Sequence, residues 1–351
     1  MYKYSLFLLT LWLALAPVQM LLAAPLSQEP TEINECDEDD RVASTDSRVG
    51  RLAYVSGGVT TPFCTAWLIP NGAVLTAGHC MDCDSKDGNG VCQPINGLDW
   101  AGRTVVLEFN VPASTAGGAP QPAPANDIFP VLVNSARYSF PGGDARIGRD
   151  WGIFAIGLNA NTQLSAHATR GFIRLTNRNP PGDATIRVTG YGSDDGAANQ
   201  TLQTATGDYD GEDDNDGALF HEYTAYSSPG ASGGPALWDN NGFAIGINSQ
   251  GGCDQFLGFG PSNKATSLDN TDLAVAIQDF WGPGVLYVDP VPHIGDPNGF
   301  IYNPYPQIGQ ALAAAGPGVR ISIVAGNYPE TLVFDKAVTL VAPVGTVVIG
   351  Q

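Results

Sequence analysis

Thr76-Ala77-Gly78-His79-Cys80 closes an apolar run, and Gly230-Ala231-Ser232-Gly233-Gly234-Pro235 follows far downstream. The first segment sets a histidine beside a cysteine at the end of the strand-like stretch Ala73 to Thr76. The second holds a serine in a glycine-rich turn whose backbone N–H groups can aim at a substrate oxygen. A serine hydroxyl is a weak nucleophile until a base takes its proton, and a developing oxyanion needs fixed donors. His79 is the candidate base and Ser232 the candidate nucleophile, with the N–H groups of Gly230 and Ser232 as oxyanion donors. A glycine two positions ahead of the serine permits the backbone conformation this needs.

A third group must hold the imidazole tautomer and stabilise its charged form. Asp150, in Gly148-Arg149-Asp150-Trp151-Gly152-Ile153-Phe154, lies between His79 and Ser232 and immediately precedes an apolar strand that would bury it. Asp127, before a weaker strand, and Asp144, inside a Pro/Gly turn, are the alternatives. His167, His221 and His293 sit in no comparable motif.

The strand signals surround these residues. Runs at 49–56, 64–69, 73–76, 104–109, 128–133, 151–156, 186–191, 200–207, 236–238 and 243–249 alternate with turns, and the chain holds 43 Gly and 26 Pro. Many short strands with one apolar-spaced helix at 272–281 predict an all-β protein of two packed barrels. The Pro/Ala/Gly-rich segment 112–125 reads as an exposed loop. Beyond Gly282-Pro283-Gly284 the pattern changes to a short helix at 308–315 among β-branched strands at 285–288, 299–305, 321–324, 331–334, 338–341 and 346–349. Close, regular spacing with Gly/Pro corners suggests the rungs of a solenoid.

The N-terminus carries the marks of an export signal: Lys3, an apolar run from Ser5 to Leu22, then Ala23-Ala24. Residues 1–24 read as a cleaved signal, 25–45 as an acidic pro-segment or arm, 46–282 as the main domain and 283–351 as an incomplete solenoid module. The expected location is extracellular or periplasmic, with no membrane contact once the signal is removed. Six cysteines suit such an oxidising compartment, although six allow 15 complete pairings. Cys64 and Cys80 flank a predicted hairpin, Cys83 and Cys92 bracket an Asp/Gly loop, and elimination leaves Cys36 with Cys253. The formal charge of −19 repels phosphate backbones, so nucleic acid is not an expected partner.

Two acidic segments, Asp82–Gly90 and Asp208–Gly217, offer oxygen ligands of the kind structural Ca2+ takes. Neither has the twelve-residue ligand pattern with a final glutamate, and a solvated acidic turn is the preferred reading. No His/Cys cluster suggests catalytic zinc, and no cofactor is expected.

The order His79, Asp150, Ser232 with its flanks resembles the chymotrypsin/trypsin-like serine endopeptidases, and most of all the secreted bacterial members related to glutamyl endopeptidases. Asp39-Asp40-Arg41, Val49-Gly50-Arg51-Leu52, Cys64-Thr65-Ala66-Trp67-Leu68-Ile69, Val188-Thr189-Gly190-Tyr191-Gly192, Ala198-Asn199-Gln200 and Ala244-Ile245-Gly246-Ile247 through Gly251-Gly252-Cys253 carry the likeness. The resemblance implies two six-stranded antiparallel barrels, a Ser-His-Asp triad acting on polypeptides through an acyl-enzyme, and support for a Cys36–Cys253 bridge. It also implies a substrate-binding wall from Tyr226, Asn248, Ser249, Gln250 and Gly251. Two features depart from the family pattern. Ala231 replaces the aspartate that pairs with a freshly cut N-terminus in animal enzymes, which rules out activation by that ion pair. Asn248 stands where glutamate-preferring relatives use a histidine, which points to a neutral or small side chain before the scissile bond. An inactive homologue serving as an extracellular binding or adhesion module is the alternative function.

The C-terminal stretch, in turn, resembles the opening turn of right-handed parallel β-helices of the pectin-lyase-like kind, through Tyr287-Val288-Asp289, Pro304-Tyr305, Ala311-Leu312, Gly326-Asn327-Tyr328 and Glu330-Thr331-Leu332. For 283–351 this implies a surface glycan or a second copy of the chain as partner.

Overall fold

The computed structural model describes residues 39–83, 97–251 and 262–350, with the backbone of two short strands between the first two ranges. The expected signal at 1–24, most of the arm, and the Cys36–Cys253 pair lie outside the described residues. In chain order the strands begin with β1 (Val42–Ala43), β2 (Val49–Ser56), β3 (Val59–Leu68), β4 (Val74–Thr76), β5 (Ser85–Lys86) and β6 (Cys92–Gln93). They continue with β7 (Thr104–Glu108), β8 (Ile128–Ser139), β9 (Trp151–Ile156), β10 (Thr185–Gly190), β11 (Gln203–Asn215) and β12 (Ala218–Tyr223). The rest are β13 (Pro235–Trp238), β14 (Phe243–Gln250), β15 (Asn263–Ser267), β16 (Leu286–Val288), β17 (Arg320–Ile323), β18 (Gly326–Tyr328), β19 (Thr339–Val341) and β20 (Val347–Ile349). The helices are α1 (Ala166–Arg170), α2 (Thr271–Gln278) and α3 (Ile308–Ala314).

Two antiparallel barrels form the body of the molecule. The first closes in the order β2-β3-β4-β9-β8-β7. The second runs β11-β10-β13-β14-β15-β12 and closes through the β11–β12 pairing, with β1 added outside β11. The burial of β3 shows why they pack together: its first half alternates between exposed and partly buried positions, and its last five residues are all buried. A strand covered on both faces needs apolar or small side chains throughout, and Cys64-Thr65-Ala66-Trp67-Leu68 supplies them. Trp67, Leu52, Leu75 and Phe154 fill the first barrel, where Trp100 meets Phe154 edge-on at 5.2 Å between ring centroids. Ile186, Val188, Tyr223, Ala236 and Ile245 fill the second.

The C-terminal segment adds parallel strands: β16 pairs with β17, β17 with β19, and β18 with β20. The expected strand at 331–334 is absent. Val333 is 79% exposed and Phe334 is exposed as well, with no neighbouring strand to take up their backbone hydrogen bonds. Segment 112–125 is, as expected, a mostly exposed loop, and it is tied to the first barrel and to the 192–200 loop. Gln121 accepts a hydrogen bond from Arg51 at 2.7 Å, the Ala123 N–H donates to Glu108, and Ser114 donates to the Asn199 carbonyl.

Among the described residues no helix is long and apolar enough to cross a membrane. The acidic segment 208–217 is the tip of the β11–β12 hairpin rather than a ligand loop. Two of its carboxylates are held by side chains of neighbouring segments: Asp210 by Ser262, Glu212 by Ser267 and Asn179. In the other acidic segment, Asp82 is buried and bonded by the Tyr138 hydroxyl, and the side chains of 84–90 lie outside the described residues.

Candidate active site

The β3–β4 hairpin brings Cys64 and Cys80 to a Cα–Cα distance of 6.1 Å, where they form a disulfide. Chain polarity then fixes His79. After β4 the backbone turns through a 3-10 segment, Gly78–Cys80, closely enough that a β-carbon on Gly78 would collide with the Ser139 carbonyl. Glycine is therefore required immediately before the histidine.

Asp150 holds His79 twice. Its Oδ1 accepts the His79 backbone N–H at 2.8 Å, and its Oδ2 lies 2.7 Å from Nδ1. The carboxylate is 1% exposed and the imidazole 15%. A buried carboxylate at Nδ1 selects the tautomer that carries the proton there, leaving Nε2 as an acceptor. The Asp150 carbonyl in turn accepts from the Thr266 hydroxyl at 2.9 Å, so β15 of the second barrel anchors an acid that heads β9 of the first. Among the alternatives, Asp127 is paired with Arg170 and bonded by Asn110, while Asp144 lies in the turn Gly143–Arg146.

Ser232 lies on a turn packed against the same hairpin. Its carbonyl accepts from the Thr65 N–H at 2.9 Å, and Cys80 Sγ lies 3.7 Å from that carbonyl oxygen. A His79 ring nitrogen lies within 4.8 Å of both disulfide sulfurs, so His79 and the Ser232 turn share the Cys64–Cys80 bridge as a neighbour. Because both sulfurs are in the disulfide, this trio offers no thiolates to a metal. Gly233 has φ +86, and a β-carbon there would run into Thr65 and Thr76. Gly230 has φ +100, a conformation favouring glycine, and its missing β-carbon would lie 2.6 Å from the Tyr191 carbonyl oxygen. Among the described residues, neither the Gly230 nor the Ser232 N–H donates to a backbone carbonyl.

The expected substrate wall divides into two kinds of residue. Asn248 is buried, and its amide is fully used: Nδ2 donates to the Ser227 hydroxyl and the Ala231 carbonyl, and Oδ1 accepts from Tyr223. It braces the wall from behind, while its backbone binds Gly233 and Gly234. Ser249 is buried with its hydroxyl toward the Lys264 carbonyl; Gln250 and Gly251 continue the rim of β14. Tyr226 lies under the Arg41 guanidinium, 5.0 Å from carbon to ring centroid.

Arg41 escaped the residue-by-residue reading. It ties the arm to the wall through Ser228 Oγ at 2.7 Å, the Ser193 carbonyl and Gln203, and pairs with Asp39. Thr266 and Gln200 were also not singled out. Their only sequence signal is that Arg41 and Gln200 fall within stretches carrying the family likeness. Cys83 is disulfide-bonded, and the side chain of Cys92 lies outside the described residues.

Among solved structures, one of a Glu endopeptidase in complex with MPD aligns at a TM-score of 0.45 and 19% identity, covering 68% of this chain and 95% of the other. The thermostable serine protease AL20 from an extremophilic microorganism aligns at 0.41 and 17%, covering 63% and 89%. The protease Anisep from Arthrobacter nicotinovorans aligns at 0.41 and 15%, covering 64% and 91%. No curated protein matches the chain. The model of the trypsin-like peptidase domain matches residues 64–247, more than half of the sequence and the whole span from the hairpin of His79 to the strand behind Ser232. The chain belongs to the trypsin-like peptidase domain family, whose fold supports a serine protease function.

Proposed function

We propose that the protein is a secreted serine endopeptidase acting through His79, Asp150 and Ser232. The observation that carries this is the double grip of the buried Asp150 carboxylate on His79, beside the turn that bears Ser232. His79 Nε2 takes the Ser232 proton as Oγ attacks the scissile carbonyl, and Asp150 stabilises the imidazolium. The unengaged N–H groups of Gly230 and Ser232 receive the oxyanion. His79 then protonates the departing amine, and a water activated by the same nitrogen hydrolyses the acyl-enzyme. The rim Ser249–Gly251 binds the substrate backbone as an added strand.

Specificity follows from Asn248. A neutral amide, spent on Ser227, Ala231 and Tyr223, brings no positive charge to the pocket, so the residue before the scissile bond is neutral or small. The parallel strands support reading 283–351 as the beginning of a β-helix, and a surface glycan or a second copy of the chain is its proposed partner. The test is digestion of a peptide library by wild type and Ser232→Ala, with fluorophosphonate labelling of both. Cleavage and labelling confined to wild type are expected. Equal cleavage by the variant removes Ser232 as nucleophile, and a wild type that neither cleaves nor labels is the inactive binding module.

A further inference from the structure

Gln200 stands at φ +54, in a left-handed conformation that Asn110 and Asp216 also adopt but for which a glutamine side chain has no local aptitude. Its surroundings force it there. The Gln200 N–H donates to the Gly192 carbonyl at 3.0 Å, and its carbonyl accepts from Arg51, whose guanidinium is fixed by the buried Glu108. The neighbouring Asn199 side chain builds the same loop through the Gly118 carbonyl and the Asp194 N–H. The Gln200 carboxamide takes no part in this construction. Its Oε1 is buried with no hydrogen-bond partner, while Nε2 also donates to nothing among the described residues and is not sealed off. Gln163, the other glutamine at positive φ, spends its amide inside its own turn, on the Asn159 and Ala160 carbonyls.

The idle amide has a specific address. Nε2 lies 2.7 Å from where a Gly230 β-carbon would be, on the turn that presents Ser232. On one flank of that turn β14 holds Ala231, Gly233 and Gly234 through Asn248; on the other, the Gly192–Gln200 loop adjoins Gly230, with the Ser193 N–H bonded to the Pro229 carbonyl. In the endopeptidase reading, a substrate strand paired with Ser249–Gly251 sets its scissile carbonyl at the Gly230 and Ser232 N–H groups, and the chain beyond that bond continues along the Gly230 flank. Strained backbone at a ligand clamp, joined to an unspent polar group, is what a site awaiting a partner looks like. We propose that Gln200 is a substrate-binding residue on the leaving-group side, its Nε2 donating to a main-chain carbonyl of the polypeptide beyond the scissile bond. The inference rests on the endopeptidase reading. A neutral donor aimed at backbone secures chain length rather than side-chain identity.

The test compares two substrates with the same acyl side, a p-nitroanilide and a peptide extended by several residues past the scissile bond. Wild type and Gln200→Gly are assayed, the glycine keeping the positive φ while deleting the carboxamide. The ratio of kcat/KM on the extended peptide to that on the anilide falls about fivefold in the variant, the worth of one neutral hydrogen bond. Gln200→Asn, which tolerates the backbone but carries a shorter amide, recovers part of the ratio. An unchanged ratio, whatever the absolute rates, overturns the assignment and leaves the peptidase reading intact. A wild type inactive on both substrates and unlabelled by fluorophosphonate overturns both together.

Discussion

A carboxylate that accepts two hydrogen bonds from one histidine fixes both where the ring sits and which nitrogen is basic. Asp150→Asn preserves the shape but presents an amide N–H or a weaker acceptor to Nδ1. It is expected to lower kcat by about 10^4-fold with an unchanged circular dichroism spectrum. Gly78→Ala acts differently, because its β-carbon meets the Ser139 carbonyl and the collision must move backbone. A fall in Tm together with lost activity is expected, measured by thermal melts and peptide hydrolysis. Two buried histidines away from the site contribute to the pH response of the fold. Burial pushes His167 and His221 from 6.5 down to about 4, outweighing the hydrogen bonds to the Ala73 and Ile245 carbonyls. Glu212, 3.9 Å from His221, lies beyond hydrogen-bond reach. Folded-state values below the unfolded ones mean that the unfolded chain binds the protons, so both contributions are complete above the unfolded value of 6.5 and decline toward pH 4. Urea unfolding at a series of pH values checks this, and His167→Gln should flatten the slope. At this scale the candidates His79 and Ser232 were legible because each stands in a contiguous motif, Thr76 to Cys80 and Gly230 to Pro235. Arg41 and Gln200 were not, since their partners Ser228 and Gly230 lie far along the chain.

Strands were legible where burial is complete or alternation regular, as in β2, β9 and β14. The ends slipped where pairing outlasts apolar pattern: β8 runs on to Ser139 because β9 continues to pair with Arg137, Tyr138 and Ser139. The acidic half of β11 hid its strand nature behind a run of carboxylates, because its strand pairing is supplied by β12, a partner that the local pattern does not announce. Two covalent or ionic ties hold the elements around the site. Replacing both cysteines of the Cys64–Cys80 bridge by serine is expected to cost about 2–4 kcal/mol in urea titrations and to loosen His79. Glu108→Ala leaves the Arg51 guanidinium charged and buried without its carboxylate, a loss of about 3–5 kcal/mol by the same measurement.

For the whole molecule, the parallel segment is joined to the barrels by more than its linker. Val285, Tyr287, Ile301 and Tyr302 belong to the buried cluster that includes Leu273 and Ile277, and the Tyr302 hydroxyl donates to the Leu268 carbonyl. Arg174 grips Asp289 at 2.6 Å, and His293 approaches the same carboxylate at 3.3 Å. Burial alone would raise the Asp289 carboxyl, but these two partners hold it below the usual range. Removing residues 284–351 therefore uncovers core side chains. The shortened chain is expected to melt lower and bind a hydrophobic dye, as differential scanning fluorimetry would register. The composition shift after Gly282 was visible in the sequence, and the residues that make this docking were not, because ties such as Arg174 to Asp289 join positions more than a hundred apart.

The Arg41 anchor carries a last consequence. A cut beyond residue 41 would discard the guanidinium that clasps Ser228 and roofs Tyr226. Overzealous clipping disarms the molecule, and N-terminal sequencing of the active form should find its first residue upstream of that arginine.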